Sequence, residues 1–104
     1  MNHYTNKIGF DAIRASTTWH FRAVQPPPQH HPVGAYFTTL RPRTRMLARR
    51  LRIPKSKVEF LFSFLDRGDL KPLRGSRGDY VYYSPYDYDV HPDRQIYSGR
   101  RDKA

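Results

Sequence analysis

The sequence predicts an α+β domain with mostly antiparallel strands, and three observations carry that expectation. Two helical patterns stand early, over residues 7–14 and 43–51. A phenylalanine-rich run follows at 58–65, and after it come short β-prone segments separated by Gly- and Asp-rich turns. The 104 residues suit one domain with a single modest core. It spans 1–104, with a proline-rich loop at 16–33 and a basic tail at 98–104.

The elements follow in order. His3-Tyr4-Thr5-Asn6 reads as a short first strand, and Asn6 is a candidate cap for a helix over 7–14. Ile8, Phe10, Ala12 and Ile13 can line that helix's inner side, although Gly9 weakens it. Three consecutive prolines at Pro26, Pro27 and Pro28 mark residues 16–33 as loop, pinned to the body by Trp19 and Phe21. Residues 35–40 are rich in aromatic and β-branched side chains and predict a strand. Met46, Leu47 and Leu51 form the inner face of a helix over 43–51, with the arginines outside and Pro54 beyond its end. Over 58–65 both faces are largely apolar, as in a central strand. Residues 70–73 and 80–84 read as strands flanking a turn at 75–79, and 94–97 adds a last one.

Composition narrows the function classes. With no cysteine, disulfide scaffolds and thiolate metal sites are excluded. Aromatic residues make up 14% of the chain, too many for a disordered segment. No run approaches the roughly 20 apolar residues of a membrane span, and no basic-then-apolar leader opens the sequence. The expected setting is intracellular, without membrane contact. The net charge of +10 is uneven: residues 1–52 carry nine Lys/Arg against Asp11 alone, whereas 53–104 carry ten against eight acids. Arg41, Arg43, Arg45, Arg49, Arg50 and Arg52 form the densest run, which favours anionic partners. His30-His31 lacks a carboxylate at ligand spacing, so no metal is expected.

Four segments taken in order carry a resemblance. They are His3-Tyr4-Thr5 followed by Gly9-Phe10-Asp11-Ala12-Ile13, then Gly34-Ala35-Tyr36-Phe37-Thr38-Thr39-Leu40, the phenylalanine-rich strand, and Tyr88-Asp89-Val90. Over roughly residues 3–97 the chain resembles the ADP-ribosyltransferases with a His-Tyr-Asp signature. These are relatives of the diphtheria-toxin-like transferases found in bacterial toxins and fungal effectors. The resemblance implies a small split sheet with two short N-terminal helices. It also implies NAD as the substrate, cleaved at the nicotinamide–ribose bond in a transferase or glycohydrolase reaction. His3 would grip a ribose hydroxyl, Tyr36 would stack on nicotinamide, and a late aspartate would stabilise the cationic transition state. Asp89 best matches that aspartate, with Asp87 and Asp66 as alternatives. Thr5 and Arg14 are further expected NAD contacts, and Arg41 or Arg43 could meet the pyrophosphate. The acceptor could be protein or nucleic acid, and a target or immunity protein is a possible partner.

Three rival functions stand beside this one. They are a basic nucleic-acid-binding module, a catalytically inactive transferase-like effector that binds protein, and an RNA phosphate-transfer enzyme of the same fold.

Overall fold

The structure is a computed structural model and describes residues 1–25, 31–74 and 79–104. Among these, the chain order is β1 (Asn2–Thr5), α1 (Lys7–Arg14), β2 (Trp19–Phe21), β3 (Ala35–Thr38), α2 (Leu47–Leu51), β4 (Phe60–Phe64), β5 (Lys71–Pro72), β6 (Val81–Ser84), β7 (Tyr88–Val90) and β8 (Gln95–Arg100). Six strands form an antiparallel sheet in the order β5-β6-β3-β1-β4-β8, and β2 and β7 form a separate antiparallel ribbon. The fold class is α+β.

Alternation along β4 divides the interior in two. Successive strand side chains point to opposite faces, so Phe62 and Phe64 enter one core and Leu61 the other. The larger core lies under the ribbon. There Trp19, Phe21, Tyr88 and Val90 close over Phe37, Phe62 and Phe64, with Phe10 of α1 at the side. The smaller core lies beneath α2, where Leu47 and Val58 meet Tyr4 and Leu61. Burial of a large apolar side chain contributes about 1.5–3 kcal/mol, so these two clusters hold α1, α2 and the ribbon against the sheet.

Helix α1 forms over the expected residues. Asn6 accepts the Gly9 amide at 2.9 Å, and Phe10 is buried. Ile8 and Ala12 differ from expectation, because both lie on the outer side of the helix and are exposed, Ile8 by 79%. The helix expected over 43–51 is only five residues long. Met46, expected on the inner face, is instead exposed with a left-handed backbone (φ 56°), which no right-handed helix contains, and the Thr44 amide closes a turn on Arg41. The strand expected from residue 58 begins at Phe60, because Pro54 starts a 3-10 turn over Lys55–Val58. The expected loop 16–33 contains β2, and its prolines 26–28 lie outside the described residues. The first edge strand, β5, shrinks to Lys71–Pro72; an edge tolerates a proline because one side of it needs no ladder donor. In the turn expected at 75–79, residues 75–78 lie outside those described.

The helices do not precede the strands; they interleave with them. The basic tail is not a free tail either. Residues 98–100 continue β8, and the Arg101 guanidinium donates to Val58 O at 2.8 Å and Pro42 O at 3.1 Å. No helix among the described residues is long and apolar enough to cross a membrane.

Candidate functional site

His3 sits where two strands part. β1 and β3 pair at Asn2↔Thr38. One residue on, the His3 ring turns in, and Nδ1 lies 2.9 Å from Tyr36 O. A carbonyl only accepts, so Nδ1 carries the proton and Nε2 presents a lone pair. No group among the described residues bonds Nε2. The rings of Phe21 and Phe37 stand 4.8 and 5.7 Å from the imidazole. This aromatic enclosure strips water from the ring and pushes its pKa below the ordinary 6.5, and the positive charge of Lys57 acts in the same direction. The result is a neutral imidazole of fixed tautomer whose accepting nitrogen is unclaimed among the described residues.

Tyr36 supplies the carbonyl that fixes His3, but its own ring leaves the sheet on the other face. Phe37 shares the ribbon side with His3, so alternation sends Tyr36 away from it. The Tyr36 ring lies 5.6 Å from Tyr83 at an 18° interplanar angle, and its hydroxyl donates to Pro32 O. Close by, an open depression of about 490 Å³ is lined by His31, Pro32, Lys71, Pro72, Leu73, Arg74 and Tyr83.

The other expected NAD contacts stand apart. Thr5 is buried, and its hydroxyl lies where a side chain on Gly9 would be, so it serves the packing of α1 on β1. Arg14 is exposed at the end of α1, with its guanidinium over the Phe10 ring at 5.5 Å. Arg41 and Arg43 are exposed beyond β3.

The aspartates are not where a trio needs them. Tyr88 and Val90 point into the larger core, so Asp89 points out, away from His3. There it receives Nδ1 of His20 at 2.6 Å, while Asp87 receives Nε2 at 3.2 Å. Asp87 also accepts the Ala23 amide at 2.8 Å. The ribbon itself, roughly 10 Å in the packing direction, separates this pair from His3. The expected convergence of His3, Tyr36 and Asp89 in one cleft is therefore corrected: the first two meet through a main-chain carbonyl, and the third belongs to a different cluster. Asp66, the remaining candidate, lies just past β4, and its charge is felt at the Met1 ammonium at the head of β1.

His20 is the residue that sequence reasoning missed. A carboxylate on each ring nitrogen favours the imidazolium form, and the pKa of His20 is raised, first by the Asp89 bond and then by the two charges. The Asp87 carboxyl is held below its usual range, first by the Ala23 amide and then by His20. A signal existed: Trp19-His20-Phe21 and Tyr88-Asp89-Val90 share one in-out-in alternation, the mark of two strands of a ribbon with His opposite Asp.

No protein-family model, curated protein or solved structure matches the chain.

Proposed function

We propose that this domain binds NAD and cleaves it at the nicotinamide–ribose bond, as a transferase or glycohydrolase of the ADP-ribosyltransferase kind. The observation that carries the reading is His3. Its proton is committed to Tyr36 O, its ring is neutral, and Nε2 is left to accept a hydroxyl hydrogen. That suits a ribose hydroxyl better than a phosphate, which needs a donor.

His3 and Tyr36 leave the sheet on opposite faces. A ligand that touches both must therefore lie across the end of the β1–β3 ladder. Tyr36 offers a phenol face to a cationic nicotinamide ring. Lys71 and Arg74, which line the neighbouring depression, supply the positive charge that a pyrophosphate requires. A cavity of this size is within the usual range for small-molecule sites. In this reading the carboxylate is Asp66, the candidate left once Asp87 and Asp89 are engaged by His20.

Nicotinamide release from NAD tests the reading. Wild type should release nicotinamide. Asp66→Asn and Tyr36→Ala should each slow release by about a hundredfold, whereas Asp89→Asn should keep most of the activity. A wild-type protein that neither binds nor cleaves NAD sinks the enzyme reading. Loss on Asp89→Asn alone would return the carboxylate to the ribbon.

A further inference from the structure

Between Arg41 and Lys57 the sequence holds eight cations and no acid: Arg41, Arg43, Arg45, Arg49, Arg50, Arg52, Lys55 and Lys57. All eight side chains are exposed. The side-chain ion pairs found among the described residues lie elsewhere, at Lys7–Asp11, His20 with Asp87 and Asp89, Arg67–Asp69 and Arg100–Asp102. An ordinary solvated face mixes both signs. This segment carries one sign only, with no side-chain ion pair of its own among the described residues and with Glu59 just beyond its end, and such a run is unfavourable to itself until an anion meets it.

We propose that the face formed by residues 41–57 is a nucleic-acid binding surface that grips the phosphate backbone. Two further observations favour a polynucleotide over an anionic membrane. The apolar residues of the segment are used up: Leu47 and Val58 are buried, and Ala48, Leu51 and Ile53 pack on the same cluster. No apolar stripe is left to enter a bilayer, only Met46. Six of the eight cations are arginines, whose planar fork matches phosphate oxygens two at a time.

At Arg52 charge and folding can be separated. The backbone there is left-handed (φ 58°), closing α2 with the Arg52 amide on Arg49 O and the Ile53 amide on Ala48 O. Glycine is the residue that such a helix end favours. An arginine there carries a Cβ that the left-handed backbone disfavours. The platform is also held in place, since Arg101 bonds the main chain at Pro42 and Val58, near its two ends.

RNA binding can be measured without catalysis, so its failure is distinguishable from that of NAD cleavage. Binding of a short fluorescent single-stranded RNA is measured against salt for wild type, for the triple variant Arg43→Gln/Arg45→Gln/Arg49→Gln, and for Arg52→Gly. Wild type should bind with affinity falling steeply with salt. The triple variant should lose at least tenfold, with the slope of log K against log salt shallower by about 0.7 for each phosphate contact removed. Arg52→Gly separates charge from folding, because it should melt no lower than wild type and yet bind RNA more weakly. Lys7→Gln and Arg100→Gln remove cations already paired with aspartates and should leave binding within about twofold. Three results would overturn the proposal: no salt-dependent RNA binding, unchanged affinity in the triple variant, or tighter binding to phosphatidylserine vesicles or polyglutamate than to RNA.

Discussion

His3 and His20 stand on opposite sides of the β2–β7 ribbon, and they are prepared for opposite tasks. His3 faces inward against Phe21, with one nitrogen tied to a carbonyl and no carboxylate bonded to it. His20 is one residue from Phe21 and faces out, with a carboxylate on each nitrogen. The first is held neutral by lost water, the second charged by its partners. The difference teaches that a carboxylate near a histidine is not a sign of chemistry. The His20 cluster satisfies all its strong groups with one another and joins two strands; the His3 niche leaves one acceptor unclaimed.

The largest expected effect comes from the residue between the two. Phe21→Ala removes a fully buried ring from the larger core and one wall of the His3 niche. It should cost about 3–5 kcal/mol of stability in denaturant unfolding. A loss under about 1 kcal/mol would mean that the ribbon is not packed as described.

Gly9→Ala comes next. In an isolated helix it would gain about 1 kcal/mol, but the new methyl would lie 2.1 Å from the Thr5 hydroxyl oxygen. Overpacking typically costs about 1–3 kcal/mol, so melting should fall and not rise. A stabilised variant would show that α1 does not rest on β1 two residues from His3.

The pH response distinguishes the two histidines by sign. The folded pKa of His3 is depressed, so its contribution is full above about pH 6.5 and is lost as pH falls through the folded value. The folded pKa of His20 is raised, so its contribution is full below about pH 6.5 and fades as pH rises through the folded value. Acid removes the contribution of His3 and base removes that of His20, so the two pull stability in opposite directions across pH 6.5. Histidine ring titration by NMR should place His3 below 6.5 and His20 above it; the reverse order would break the comparison. The smallest effect is that of Asp89→Asn. It should bring the His20 titration back toward 6.5 and leave that of His3 unmoved, with little change in melting.

Much of the fold was legible because its signals are local. Asn6 and the residues after it spell a capped helix, and the phenylalanines of β4 announce a buried strand. What the sequence hid depends on distant partners or on single backbone torsions. β2 is three residues in a proline-rich stretch, and it becomes a strand only by pairing with β7, some seventy residues away. The start of α2 turns on the left-handed Met46, which helix propensity does not register. At the candidate site, His3 and Tyr36 were legible as residues, but the role of the Tyr36 carbonyl was not. Asp89 looked available because its partner, His20, lay in what read as loop.

Nicotinamide release from NAD by wild type, His3→Gln and His20→Gln at neutral pH tests the role of His3 most directly. Wild type should be active, His3→Gln should lose about a hundredfold or more, and His20→Gln should stay within a few-fold of wild type. An inactive wild type, or a loss in His20→Gln with His3→Gln unaffected, would contradict that role.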